Sequence, residues 1–323
     1  MGYWPSRWYP MLFLFEKPEL LAEAPKYLTP ETSKQIRHIF QLADLQLEGN
    51  LFRCMFPAKG QHFTSVKNDL PRFDEGYIHE KYLPKVLNII EEIDLLKPDL
   101  IVTFGKVPFT LLTGLRLSDY RGTLCSYGSH TLLPTIDIPT ILKDFSSHPI
   151  VKADLSKAKR FLAGIDRVPR QVNIVDNLKD LEKIRPLLKG LVAVDVETKD
   201  KQITCVSFSP SPQCSYVLPI WHLNREGYHA WSLEDELILW EFMFDILTGD
   251  CSKIFHNGIY DISYFTDHGI PVALPVEDTM LLHHSISPEM QKSLGFLGSL
   301  YCDEAAWKTM NKKKKKEQHK KDE

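Results

Sequence analysis

The run Leu191–Lys199, LVAVDVETK, places two carboxylates, Asp195 and Glu197, one residue apart at the end of an apolar stretch. Such a stretch reads as a strand, and on a strand the side chains at i and i+2 share a face. Both acids then converge on one divalent cation, and two carboxylates on one edge suit a hard metal.

A second segment adds to this. Lys253-Ile254-Phe255-His256-Asn257-Gly258-Ile259-Tyr260-Asp261 starts like a strand, turns through polar residues and ends in a third acid. Brought beside the first two, Asp261 completes the oxygen shell that Mg²⁺ or Mn²⁺ prefers. Two such ions about 3.5–4 Å apart clamp the attacking and leaving oxygens of an in-line phosphodiester cleavage. Asp-x-Glu by itself fits an ordinary strand end with solvated acids better. The Asn-x-x-x-Asp segment that follows reverses that preference.

The DVET and HNGIYD segments resemble the first two motifs of the DEDD superfamily of 3′–5′ exonucleases. Val276 to Tyr301, VEDTMLLHHSISPEMQKSLGFLGSLY, is similar to the proofreading domain of family A DNA polymerases, phage ones in particular. The resemblance covers residues from about 171 to 307. It implies a ribonuclease H-like fold with a mixed sheet and hydrolysis of 3′-terminal nucleotides by two Mg²⁺ or Mn²⁺ ions. Asp195 and Glu197 would be metal ligands from the first motif and Asp261 from the second, all three catalytic. The implied partner is DNA with a single-stranded 3′ end. Thr198, beside Glu197, and Asn257 and Tyr260, which flank the third acid, are placed on the substrate side; for Asn257 a turn role is open as well.

The sequence departs from the superfamily at its fourth carboxylate, which is supplied downstream as Tyr-x-x-x-Asp or His-x-x-x-Asp. Tyr301 is followed four positions later by Ala305, and His319 is followed by Glu323 within a lysine-rich run, where chance explains the match better. Loss of a ligand and of the water-orienting group costs orders of magnitude in rate. The expectation is therefore an exonuclease impaired on its own, with a separate polymerase chain as a partner that completes it.

The first half also has an α/β rhythm. Met11–Phe15 and Leu100–Phe104 read as strands, and Glu31–Leu42, Glu80–Ile93 and Lys106–Leu112 as helices. KPDLIVTFGKVPFTLLTG, then Tyr120-Arg121-Gly122, then LLPTIDIPTILKD and a lysine-rich helix resemble the uracil-DNA glycosylase fold in the version fused ahead of phage family A polymerases. That family opens with a Gly-Glu-x-Pro-Gly loop after its first strand; here Phe15-Glu16-Lys17-Pro18-Glu19 stands instead, and both glycines that let backbone approach a ligand are gone. Where the family has a His-Pro-Ser-type motif this chain has Asp137-Ile138-Pro139-Thr140, with no histidine to stabilise a departing uracil anion. The resemblance thus implies a degenerate three-layer scaffold.

At 323 residues, with 43% hydrophobic and 25% charged residues, the chain is long enough for two ordinary globular cores. The linker-like stretch Ala163–Arg170 divides it into a glycosylase-like domain, 1–165, an incomplete exonuclease domain, 166–307, and a lysine-rich tail, 308–323, read as disordered. The formal charge of −3 is uneven: the tail carries +5 and the remainder −8, a poor sink for nucleic acid unless metals or local patches offset it. The six cysteines are scattered with no Cys-x-x-Cys, so zinc and iron–sulfur ligation are unsupported and a reducing compartment is expected. No apolar run is long enough to span a bilayer. The expected location is the cytoplasm of a bacterial or phage-infected cell, with no membrane partner.

After the boundary the pattern predicts strands at 171–175, 191–196, 202–209, 215–220 and 252–256, and helices at 177–188, 232–248, 259–268 and 278–286. Several tempting residues read more simply as structure. His283 and His284 are adjacent, so on a helix they diverge by about a hundred degrees and cannot chelate one ion. Asp278 before Thr279 is explained by a helix N-cap. Tyr3, Trp4, Trp8 and Tyr9 could stack on bases, but fit a packed strap better. Two other functions stay open: a non-catalytic DNA-binding or assembly subunit of a split polymerase, and uracil excision.

Overall fold

All five residues of Met11–Phe15 (β1) are buried, which requires a strand covered on both faces. The structure, a computed structural model, describes residues 10–16, 37–45, 49–57, 60–144, 146–165, 169–222 and 228–302. They form two units: 10–165 together with 295–302, and 169–294.

In the first unit β1 lies between β2 (Leu51–Cys54) and β5 (Leu100–Phe104), both parallel to it. The short pair β3 (Phe63–Thr64) and β4 (Tyr77–Ile78) stands apart from this sheet. The sheet continues through β7 (His130–Thr135), parallel to β5, to the antiparallel edge strand β6 (Cys125–Tyr127). Met11, Phe13 and Phe15 point into one core with Val102 and Leu155. Leu12 and Leu14 point into the other with Val86, Ile93 and Phe109. Each such side chain contributes about 1.5–3 kcal/mol by burial, so the two-sided strand anchors both layers. Helix α1 (Leu83–Leu96) stops at Lys97, which takes a left-handed φ of 46°, immediately before Pro98. Proline disfavours helical backbone at the residue before it.

Helix α2 (Lys106–Thr113) leaves β5 through Gly105 at φ 91°, where a Cβ would lie 2.9 Å from that of Asp137. After α3 (Leu117–Tyr120), α4 (Ile138–Lys143) is capped by Asp137, which accepts from the Thr140 N–H at 2.9 Å. The DIPT segment is therefore a helix start. Helix α5 (Ser147–Leu162) closes the layer. Residues 37–42 are helical; the rest of the helix expected from Glu31, the Lys17-Pro18-Glu19 loop and the N-terminal aromatics lie outside the described residues.

The second unit carries a six-stranded sheet. Strands β9 (Leu191–Lys199), β10 (Gln202–Ser211) and β11 (Cys214–Pro219) form an antiparallel meander. On the other side of β9, β12 (Ser252–Phe255) and β13 (Val276–Asp278) run parallel to it, and β8 (Gln171–Ile174) joins β11 in parallel, giving the order β13-β12-β9-β10-β11-β8. A three-strand meander extended in parallel from its first strand is the ribonuclease H-like arrangement, so the expected α/β class with a mixed sheet holds. In β9 Val192, Val194 and Val196 are buried in the core while Leu191, Ala193, Asp195 and Glu197 are exposed. Helix α6 (Lys179–Ile184) is followed by a 3₁₀ turn at Arg185–Leu187 and is shorter than the helix expected over 177–188. Pro186 has no N–H to continue the α-helical ladder. Helix α7 (Leu233–Thr248) begins as expected: the Ser232 hydroxyl accepts from the Asp235 N–H at 3.2 Å, with three acids in the first turn.

Helices α8 (Ile259–Asp267), α9 (Thr279–Ile286) and α10 (Leu294–Tyr301) complete the described chain. From Gly295 onward α10 packs with the first unit, whereas the sequence reading carried the second domain on to 307. The reason is polar: Lys157 donates to the carbonyl oxygen of Ser299, Arg121 donates to its hydroxyl, and the Arg121 guanidinium lies 5.4 Å from the centre of the Phe296 ring. Arg121 also pairs with the fully buried Asp154 at 2.6 Å, whose other oxygen accepts from the Thr135 hydroxyl at 2.7 Å. Burial pushes the Asp154 pKa up against the opposing charges of Arg121 and Lys157.

Candidate active site

Asp195 and Glu197 stand on the exposed face of β9, opposite Ser207 and Cys205 of β10 in the sheet register. Strand alternation places them there, since the valines between them fill the core. Burial raises the pKa of the Cys205 thiol, and the charges of Glu197 and Asp195 raise it further. Those two acids and the thiol therefore share one patch of sheet.

Asp261 arrives from another direction, in the first turn of α8. The residue is 5% exposed, and its Oδ1 accepts a 3.0 Å hydrogen bond from the backbone N–H of Val196, the residue between the two strand acids. Burial is the largest influence on its acidity and works against ionisation; the Val196 N–H opposes it, and the charges of Asp195 and Asp278 reinforce it. The result is a pKa raised from 3.8 to about 6.

The turn between β12 and α8 sets this approach. Asn257 adopts a left-handed φ of 63°, and a Cβ on Gly258 would fall 2.6 Å from that of Phe255, so the Asn-Gly pair is needed to bring α8 so close to its strand. Asp278 holds the turn: its carboxylate accepts from the N–H groups of Asn257 at 3.1 Å and Gly258 at 2.8 Å, while capping α9 through Met280 at 2.8 Å and Leu281 at 3.3 Å. Burial disfavours the charge on Asp278, but the four donors outweigh it and leave its pKa below the ordinary value. Asn257 thus has a place in the turn itself. Asp278 is the N-cap that was expected, and it is a clamp between two segments as well.

Thr198 and Tyr260 meet directly, their hydroxyl oxygens 2.6 Å apart. Tyr264, one turn further along α8, sets its ring 5.0 Å from that of Tyr260 at 54°. The hydrogen bond to Tyr260 raises the pKa of the Tyr264 phenol, with Thr198 working the other way. Helical spacing from Tyr260 is a signal that could have revealed Tyr264. His283 is buried and His284 exposed, as their divergence required.

The structure thus brings Asp261 within charge reach of Asp195 and bonds it to the strand that carries Glu197. As placed, no three histidine, cysteine, aspartate or glutamate side chains among the described residues close into a set that could hold a metal ion. Asp195 acts on Asp261 as a like charge, and Glu197 stands two residues from Asp195 on the same face of β9; carboxylate oxygens of this kind are the donors a hard cation takes.

No family model matches the chain, and no curated protein matches it. Among solved structures, the EXD2 exonuclease domain soaked in Mn and GMP is similar at 17% identity over 40% of this chain and 68% of that one, with a TM-score of 0.28. Escherichia coli RNase D, an exoribonuclease involved in structured RNA processing, is similar at 15% identity over 43% and 34%, with a TM-score of 0.32. Brucella melitensis NrnC with bound Mg²⁺ is similar at 18% identity over 43% and 64%, with a TM-score of 0.28. The chain spans about a third of RNase D and less than two thirds of NrnC. At these scores and identities the reading of the site rests on its own residues.

Proposed function

We propose that the second unit is a metal-dependent 3′–5′ exonuclease that hydrolyses the terminal phosphodiester of single-stranded DNA. One observation carries the reading: Asp261 is fastened to the backbone between Asp195 and Glu197, and its pKa is raised to about 6 with Asp195 and Asp278 contributing. Carboxylates with perturbed acidity cluster at functional sites, and a cation bound beside Asp195 and Asp261 would offset both the burial and the like charge. Asp195, Glu197 and Asp261 would hold Mg²⁺ or Mn²⁺, two ions in the full site. Bound there, such ions supply Lewis-acid stabilisation of the attacking and leaving oxygens. Asp278 keeps the α8 turn, and with it Asp261, in place; Thr198 and Tyr260 lie on the substrate side, and Asn257 shapes the turn.

The wider context follows the sequence resemblance: the front part of a phage-type DNA polymerase acting in proofreading, working in the cytoplasm with a separate polymerase chain. The first unit is a uracil-DNA glycosylase-like scaffold without its chemistry, a reading supported by a mostly parallel sheet covered on both faces and by Asp137 serving as a helix cap where the family carries its histidine motif. Under this reading the domains are 1–165 and 166–307 with a tail at 308–323, and α10 joins the first unit in packing. The alternative that the same experiment addresses is a non-catalytic DNA-binding or assembly subunit. The assay that separates them is digestion of a 5′-labelled single strand in Mn²⁺ or Mg²⁺. Shortening from the 3′ end that requires metal and disappears in Asp195→Ala supports the exonuclease. Metal-independent shortening, or shortening that survives Asp195→Ala, overturns it.

A further inference from the structure

We propose that the first unit holds a binding site for a small organic cation with an aromatic or alkyl body, in a cavity at the end of its sheet opposite Gly105 and Asp137. The inference is independent of the nuclease reading. The cavity has a volume of about 620 Å³, which is within the range of small-molecule sites. It lies where β5 and β7 begin: Asp99 immediately precedes β5, Ser129 stands in the two-residue turn between β6 and β7, and His130 is the first residue of β7. Phe161 and Leu162, the last residues of α5, line its apolar side and pack on the core.

The sign of the charge it takes follows from what ends there. Helices α1 and α5 both have their C-termini at the cavity, since Lys97, the C-cap of α1, and Leu162 line it. Each helix C-terminus carries about half a negative charge. The end of α1 also leaves carbonyls without helical partners: Pro98 has no N–H for the carbonyl of Asp94, and the N–H of Leu100 donates to Pro10 at 3.2 Å. Two carboxylates add to this. Asp99 lines the cavity, and Asp94 stands behind the buried His130, with Oδ1 3.1 Å from Nε2. Of the lysines nearby, Lys97 lines the cavity and Lys159 pairs with Asp44. The balance is negative, so an anion meets charge of its own sign and a cation is favoured. The apolar side then selects among cations. A hydrated metal ion gains nothing from Phe161 and Leu162, whereas a ring or alkyl body bearing an amidinium, guanidinium or ammonium group buries its apolar area there and gains further from an aromatic face.

The test is calorimetric titration of the full chain with benzamidine, beside benzamide and benzoate, which keep the ring and change the charge. Benzamidine is expected to bind about ten-fold or more tightly than either, and to bind more weakly as salt rises. Ser129→Arg brings a guanidinium to the cavity from the turn and is expected to abolish binding. Asp99→Asn is expected to weaken it about two- to five-fold. Both positions are exposed, so neither change disturbs the core, and circular dichroism checks that the fold is kept. Three results overturn the proposal: no benzamidine binding at millimolar concentration, benzoate or benzamide binding as tightly as benzamidine, and benzamidine binding that survives Ser129→Arg unchanged. The last would place the ligand elsewhere on the chain.

Discussion

Replacing Asp261 by asparagine should stabilise the metal-free protein near neutral pH and weaken its hold on metal. Asp261 has a folded pKa of about 6 against an ordinary 3.8, caused first by burial and then by neighbouring charge. A carboxyl whose folded pKa lies above its unfolded value binds its proton more tightly when folded. It therefore lowers stability above pH 6, and the loss is relieved as pH falls through 6 toward 4. The difference corresponds to ~3 kcal/mol at 1.36 kcal/mol per pKa unit, and solvent at the mouth of the site reduces it to about 1–2 kcal/mol. Asparagine keeps an oxygen for the Val196 N–H, now 3.0 Å away, and removes the charge. Urea unfolding in EDTA, followed by tryptophan fluorescence, should show Asp261→Asn about 1–2 kcal/mol more stable than the parent at pH 7.5, with the gap closing near pH 4. A variant equal to or less stable than the parent at pH 7.5, or a gap independent of pH, would falsify the electrostatic reading of Asp261.

Three further outcomes follow from the same structure. Asp278→Ala removes a helix cap worth about 0.5–2 kcal/mol and two more backbone bonds of about 1 kcal/mol each; urea titration should show a loss of about 2–4 kcal/mol, and a loss under 0.5 kcal/mol would show that the clamp is dispensable. In the first unit, Asp154→Ala removes the carboxylate that pairs with Arg121 and should cost about 3–5 kcal/mol in the same assay, whereas a neutral effect would mean that the ion pair contributes nothing. A uracil-containing oligonucleotide incubated with the protein should gain no alkali-labile sites; uracil release abolished by Glu16→Ala would restore the glycosylase chemistry that the absent loop and histidine argue against.

Local signals carried much of the fold into view. The i, i+2 spacing of Asp195 and Glu197 puts both on one face, and β9 shows that face exposed. Ser232 and Asp278 were legible as caps because a cap is written in three or four consecutive residues. What remained hidden depends on contacts between distant residues. The bond from Val196 to Asp261 joins positions 65 apart, and without it neither the burial of that acid nor its raised pKa can be foreseen. The second duty of Asp278 depends on donors 20 and 21 residues earlier. The docking of α10 against Arg121 and Lys157 is a contact across 178 and 142 residues, and so the domain limit at 307 could not anticipate it. The break after α6 was local and legible in Pro186, which the expected helix over 177–188 passed through.

The central claim, that Asp195, Glu197 and Asp261 form a cation site, is tested most directly by calorimetric titration of the purified chain with Mn²⁺ at pH 7.5, beside Asp195→Ala and Asp261→Ala. Binding that is present in the parent, lost in Asp195→Ala and lost in Asp261→Ala is the expected result, and in the parent it should weaken as pH falls below 6, where Asp261 takes up its proton. Equal binding in all three proteins, or none in the parent, contradicts the account.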